Sequence, residues 1–502
     1  MCFEHIGPVN TLTEKGFLMN ILQDLEPAKV FHFFEKICNI PHTSFHEKAL
    51  SDYCVAFAKE RNLYYEQDEM GNVLIVADAT NGYEDMPAVM LQGHLDMVGD
   101  KTAKCNLDLE KDGLQLYIEG DYIRAKGTTL GGDDGIAVAY ALTILDDTNI
   151  PHPRLEVVLT VCEEVGLLGA TAMNLSSCKA KRLINVDSEV EGILTAGCAG
   201  GIRVCSEIPM GKTMRTGIVT TFSLEGLLGG HSGMEIDKGR ANANVLLGRF
   251  LLQLHHQVDY DLITLKGGAK ENVIPKTGSV SLLIKENDIK TTYEVMNRFT
   301  SYMSSEYGTA DPGIHLIMKQ DNEVPVEKEV IDKDSLNKII MALNTMPNGV
   351  QAMSMDLPGL VETSLNMGVI ELDNDVFRMR FSIRSSLPSA KEYIVSKVTY
   401  FTQMLGGWVT FAGEYPAWPY ERNSEFRDIC IDIYKKQYGK EPKIQLMHAG
   451  LECGIIADKL PGIDCISFGP NMIDIHTPNE HMSISSVARV WEFLKAILAY
   501  RD

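Results

Sequence analysis

Short apolar runs alternating with helical stripes set the plan of this chain. From Glu26 to Ile37 the apolar positions recur at helical spacing, with Pro27 suited to a first turn, and Glu47–Arg61 repeats the pattern. Compact apolar stretches that read as buried strands follow at Asn72–Ala77, Pro87–Val98, Leu155–Cys162, Arg182–Val186 and, much later, Gly462–Phe468. Between them, Gly135–Leu145 is an apolar helical run. Such alternation predicts an α/β fold on a mostly parallel sheet with helices on both faces.

Between about Cys205 and Glu414 the pattern changes. Strand-like runs at Ile218–Leu224, Ser279–Ile284, Glu362–Ile370 and Val376–Ile383 flank helical runs at Ala243–His255, Thr291–Ser305 and Ser389–Leu405, and Asp373-Asn374-Asp375 supplies a hairpin turn. This predicts an α+β domain over 206–414 inserted into a first domain made of 1–205 and 415–502. Residues 1–18 precede the first helical pattern and read as a disordered tail or a misassigned start. No internal repeat is visible.

Composition narrows the partners. The 68 acidic and 46 basic residues leave a net charge of −22, which argues against a nucleic-acid backbone as partner. Eleven cysteines are scattered without a paired framework, as fits a reducing compartment. The first residues lack a signal-peptide pattern, and no apolar run approaches the roughly 20 residues that span a bilayer. A cytoplasmic protein with no membrane partner is expected.

The chemistry gathers where strands end, the place where open α/β sheets bind ligands. His94, Glu163, Glu164, Asp187 and His476 each follow an inferred strand, and Asp133 lies in the glycine-rich turn Gly127-Thr-Thr-Leu-Gly-Gly-Asp-Asp-Gly135 before a helix. Taken singly, a histidine is more often structural, and the paired aspartates are equally an acidic helix cap. Together, two histidines and three carboxylates make a donor set for a borderline divalent ion such as zinc. That set is more than a single tetrahedral site with an open position can take. It fits two ions about 3.5–4 Å apart that share a carboxylate. Glu163, beside Glu164, is then placed as general base on the activated water and as proton donor to the leaving amine. Asp96, two residues after His94, is placed to accept that histidine's second N–H, or is a surface turn residue.

These residues also carry a resemblance. Leu91-Gln-Gly-His-Leu-Asp-Met-Val98, the turn 127–135, Glu163-Glu-Val-Gly166 and Asn185-Val-Asp-Ser-Glu189 resemble the metal-site motifs of the dinuclear zinc exopeptidases. Gly229-Gly-His-Ser-Gly233, Gly239-Arg-Ala-Asn-Ala243 and His448-Ala-Gly-Leu-Glu-Cys-Gly454 resemble those of its aminoacyl-histidine dipeptidase (Xaa-His dipeptidase, peptidase D, β-Ala-His dipeptidase) branch. The likeness runs from about Glu26 to the C-terminus. It implies a zinc-bearing catalytic domain with an inserted lid, hydrolysing unblocked dipeptides, Xaa-His included.

The resemblance assigns metal binding to His94, Asp133 (bridging), Glu164, Asp187 and His476, with two zinc ions per subunit or cobalt or manganese instead. It makes Glu163 the general base and Asp96 the carboxylate beneath His94. It also implies a cis Asp133–Asp134 peptide and a homodimer formed through the lid. His231, Asn272 and Arg384 then contact substrate, His231 polarising the scissile carbonyl across the dimer interface and Arg384 holding a terminal carboxylate. His448 and Glu452 line the pocket. Asn272 is equally a turn cap, and Arg384 equally a strand-surface ion-pair partner. Asp134 departs from the pattern, which commonly has Asn there. An N-acyl amino acid deacylase or amidase on the same scaffold is the alternative, with the same metal chemistry and different lid contacts.

Overall fold

The computed structural model describes residues 21–501, so the expectation for residues 1–18 lies outside the described residues. The described chain forms two units. One holds the residues up to Ile193, Asp428–Pro442 and those from Ser467 onward, and the other holds Leu194–Arg427 and Lys443–Ile466. Among the described residues, no helix is long and apolar enough to cross a membrane.

In the first unit the chain runs α1 (Ala28–Cys38), α2 (Lys48–Glu60), β1 (Tyr64–Gln67), β2 (Val73–Ala77), β3 (Val89–His94), β4 (Leu116–Glu119), β5 (Tyr122–Ala125), α3 (Gly132–Asp146), β6 (Leu155–Thr160), α4 (Leu168–Ala172) and β7 (Arg182–Asn185). β1, β2, β6, β3 and β7 lie side by side in that order. β3 pairs parallel with β6 and with β7, while β1–β2 and β2–β6 are antiparallel. The expected parallel pairing therefore holds from β6 through β3 to β7, and the two pairings on the β1 side run the other way. β2, β3 and β6 are buried along their whole length, which is why they read as unbroken apolar runs.

α3 is buried from Gly132 to Leu145 and packs on β3 and α1. Its Tyr140 ring stacks on Trp491 of the helix Ile484–Leu498 at 5.6 Å, and the Tyr140 hydroxyl donates to Val487 O at 2.8 Å. Regular helix begins only after the two carboxylates. Asp133 and Asp134 have non-helical backbones joined by a cis peptide, and Gly131 before them takes the left-handed φ of 66° that a glycine reaches without a Cβ penalty.

The C-terminal part adds the strands Met472–Ile473 and His481–Ser483 to β5 and β4 in a small four-stranded sheet. His476 lies in the loop of the hairpin they form. It does not directly follow the strand expected at Gly462–Phe468, which spans Asp464–Ser467.

The second unit carries an antiparallel sheet ordered His315–Gln320, Lys212–Glu225, Gly278–Ile284, Tyr260–Gly267, Val361–Asp373, Val376–Ser385, Gly200–Pro209, Trp408–Tyr415. Ranked by chain order, the first four stand as 4-1-3-2, with the helices Ala243–His255 and Ile289–Tyr307 as their crossovers. The last four stand as 2-3-1-4, with Lys333–Thr345 and Pro388–Met404 in the same roles. Each half is thus β-α-β-β-α-β, and one is inserted after the first strand of the other. They meet second strand to second strand through Lys266↔Glu371 and Gly267↔Ile370, antiparallel, as a local twofold requires. The expectation of no internal repeat is corrected here. The repeat lies in strand order, which an alternating pattern does not encode.

One loop of the first unit is drawn unusually tight. Gly169 N–H donates to Val161 O at 3.0 Å. Asn72 closes the same base, accepting from Val161 N–H at 3.0 Å and donating to Gly169 O at 3.1 Å. A Cβ at Gly169 would stand 2.2 Å from Val161 O and 2.4 Å from Asn72 Oδ1. Gly169→Ala should therefore destabilise the protein by about 1–3 kcal/mol, the usual range for overpacking, read as a lower urea midpoint at unchanged m-value.

Candidate active site

Two histidines face one carboxylate at the carboxyl edge of β3. His94, the last residue of β3 and 1 % exposed, places Nε2 at 3.1 Å from Asp133 Oδ1 and 3.8 Å from Asp187 Oδ1. The other oxygen of Asp133, Oδ2, lies 3.1 Å from His476 Nε2, which stands 2.8 Å from Glu164 Oε1. Asp133 therefore offers one oxygen to each histidine, with Asp187 on the His94 side and Glu164 on the His476 side. The five expected ligands come together in one unit.

The donor chemistry fits divalent cations. Donor atoms of His94, Asp133 and Glu164 lie within 4.8 Å of one another, as do those of His94, Asp134 and Asp187. Burial opposes protonation of both histidines, but the surrounding carboxylates outweigh it. His94 is held well above its ordinary value by Asp133, Asp187 and Asp96, and His476 is raised to about 11 by Asp133 and Glu164. Burial lifts Asp187 to about 6 although His94 pulls it down. A cluster that draws protons onto its histidines carries surplus negative charge, which divalent ions neutralise.

Asp134 was not among the expected donors, and its surroundings argue for a supporting part. Its Oδ2 accepts the His94 backbone N–H at 3.1 Å, and its Oδ1 is buried without a hydrogen-bond partner. Burial, with Asp187 nearby, pushes its carboxyl well above the usual range.

Asp96 does more than the sequence indicated. His94 Nδ1 approaches the Asp96 backbone oxygen at 2.9 Å and its carboxylate only at 3.5 Å. The carboxylate instead grips the turn after β6. Oδ1 accepts Glu163 N–H at 2.9 Å, and Oδ2 accepts Glu164 N–H at 3.2 Å and the Ser44 hydroxyl at 2.8 Å. Burial pulls the Asp96 carboxyl up, and His94, Glu163 N–H and Ser44 together hold it below its ordinary value. The reading of Asp96 as a surface turn residue is excluded by its burial.

Glu480 went unnoticed in the sequence. It is buried and accepts Leu130 N–H at 2.7 Å, Gly131 N–H at 3.1 Å and Gly132 N–H at 2.8 Å, fixing the glycine-rich turn that presents Asp133. Its place four residues after His476 is the only sequence signal, and that does not reveal its partners. His476 and Asp474 in the same hairpin loop take left-handed φ values of 61° and 55°, backbone strain of the kind that collects at functional sites.

In the second unit, His231, Arg384 and His448 converge on Gly233. A Cβ there would lie 2.4 Å from His448 O, 3.0 Å from His231 Cε1 and 3.3 Å from Arg384 Nε. Arg384 is buried in the strand Val376–Ser385, not paired on its surface. Its Nη1 donates to Tyr415 Oη at 2.7 Å, and its Nε has no hydrogen-bond partner. His448 Nε2 lies 2.7 Å from Ser364 Oγ. Asn272 is exposed and reaches the His231 loop through its backbone oxygen, which accepts Ser232 N–H at 2.9 Å. Glu452 is fully buried. Asp311, also missed, is buried and closes the His231 loop, accepting Leu228 N–H and Ala241 N–H at 2.7 Å each.

A model of peptidase family M20/M25/M40 matches residues 90–500. The chain belongs to that family and is a peptidase. The peptidase is 38% identical over 482 residues, 96% of its length and 99% of the relative's, to the cytosol non-specific dipeptidase of Escherichia coli (strain K12). Its structure is similar to that of aminoacylhistidine dipeptidase from Vibrio alginolyticus, with a TM-score of 0.86 and 37% identity, covering 95% of this chain and 97% of that one. Aminopeptidase PepT from Bacillus cereus, 15% identical with a TM-score of 0.53 over 94% of this chain and 98% of that one, shares the fold.

Burial, with Arg384 and His231 adding to it, pushes His448 down to about 3 from 6.5. As pH falls below 6.5 the unfolded chain takes a proton at this position that the folded chain refuses until about 3. Wild-type stability should therefore fall relative to His448→Asn across that window and run parallel to it above about pH 7, as measured by urea melts at a series of pH values.

Proposed function

We propose that this peptidase hydrolyses unblocked dipeptides, Xaa-His among them, using two divalent cations, zinc by preference. His94, Asp133, Glu164, Asp187 and His476 would hold them. The observation that carries the reading is Asp133 with one carboxylate oxygen 3.1 Å from each of two histidines. The names of the Escherichia coli and Vibrio alginolyticus relatives supply the substrate class. We also place the enzyme in the cytoplasm, the compartment named for the first of these. None of the ten described cysteines is in a disulfide, in keeping with that.

Bound cations supply Lewis acidity towards the scissile carbonyl and raise the acidity of water at neutral pH. Glu163 takes a proton from the attacking water and delivers it to the leaving nitrogen as the C–N bond breaks. Asp96 holds the backbone of Glu163 and Glu164, so base and ligand keep a fixed spacing. Glu480 holds the turn that presents Asp133. In the second unit, Arg384 has a buried Nε free for a substrate's terminal carboxylate. His231 is our candidate for polarising the carbonyl, and Asn272, His448 and Glu452 are candidates for lining the subsite.

Two measurements test this. Glu163→Gln should lower kcat by about 10²–10⁴-fold, the usual contribution of a general base, with metal content unchanged by elemental analysis. Full activity in that variant sinks the assignment. Amino-acid release from β-Ala-His, Gly-His and Leu-Gly should stop on chelation and return with zinc, while N-acetyl-Gly-His stays intact. Cleavage of the acetylated substrate would turn the reading into that of a deacylase.

A further inference from the structure

Glu47 sits at the N-cap position of α2, where an acidic side chain ordinarily accepts an N–H from its own helix. No helix N–H reaches it. Its carboxylate turns back instead, and one oxygen, Oε1, gathers three donors from outside the helix. These are Phe45 N–H at 3.0 Å, Cys162 N–H at 3.0 Å and the Cys162 thiol at 3.2 Å. The residue is 5 % exposed. A buried carboxylate with this pattern of partners is an anchor for the segment that carries Cys162.

That segment ends in Glu163. Cys162 has a left-handed φ of 52°, which a residue with a side chain keeps only when its surroundings hold it there. The backbone direction at Cys162 sets where the Glu163 Cα–Cβ bond points. Asp96 takes the next two N–H groups, so residues 162, 163 and 164 donate in succession to two buried carboxylates. Ser44, three residues before Glu47, donates to Asp96 Oδ2 at 2.8 Å. The stretch from Ser44 to Glu47 thus braces the turn from both sides.

We propose that Glu47 is a positioning residue for the general base. By holding Cys162 left-handed it aims the Glu163 carboxylate, without itself touching substrate. This rests on the reading of Glu163 as the base.

The test is steady-state kinetics with metal analysis on the full-length, metal-loaded enzyme. Glu47→Ala and Glu47→Asp, the latter keeping the charge but shortening its reach, should lower kcat by about 10- to 100-fold, the range for residues that orient a reacting group through a hydrogen bond. KM and metal content should not change. Glu47→Gln still offers Oε1 as an acceptor and should stay within about threefold of wild type. In a Glu163→Gln background Glu47→Ala should lower kcat no further, because the two act as one unit. An equal loss in both backgrounds marks a merely structural role and overturns the proposal. So does an unchanged kcat in Glu47→Asp, which carries the test alone if Glu47→Ala does not fold. Full activity in Glu163→Gln overturns the base reading and this inference with it. An inactive Glu163→Gln beside an unaffected Glu47→Asp overturns this inference alone.

Discussion

Several carboxylates buried within reach of one another are unfavourable unless each finds a donor, a cation or a proton. The first unit is arranged around that constraint. Asp133 lies between His94 and His476, Asp134 faces the His94 backbone N–H, Asp96 faces two backbone N–H groups and a hydroxyl, and Glu480 faces three more N–H groups. The glycine-rich turn, the turn after β6 and the His476 hairpin are each fixed by one of these contacts. The parallel strands bring the loops to one edge, and the acids determine the path each loop takes there.

The same device recurs away from the cluster of His94, Asp133 and His476. Glu47 grips Cys162, Asp311 grips both ends of the His231 loop, and Glu156, fully buried in β6, accepts N–H groups from Lys179 and Ala180. In each case a carboxylate takes several backbone donors that a loop leaves unpaired, where neighbouring backbone carbonyls would do so in a helix or strand. Loops tied in this way present side chains with the precision of regular elements, while their backbones adopt left-handed or otherwise irregular conformations.

Much of the site was legible in the sequence for a physical reason. Fully buried strands appear as apolar runs, so the polar residue that ends such a run stands out, as His94 does after β3 and Glu163 and Glu164 do after β6. What did not show was pairing across the chain. Glu480 meets Leu130 350 residues away and Glu47 meets Cys162 115 residues away, and nothing in the spacing of either residue indicates its partner. The helix Ala243–His255 was read to the residue because its asparagine cap and apolar stripe are local. The order of the second unit's strands was not, because alternation marks a strand's faces and says nothing of its neighbours.

The duplicated sheet of the second unit changes what a mutation can do. Where identical copies meet about a twofold axis, every substitution appears twice, and both copies must tolerate it. Here the two halves are stretches of one chain, so each position occurs once and can be substituted alone. The half from Lys212 to Gln320 carries His231 and Asn272, while the other carries Arg384 and its partner Tyr415. The polar cluster around Gly233 is accordingly assembled from unequal contributions, with His231 from one half, Arg384 from the other and His448 from outside both.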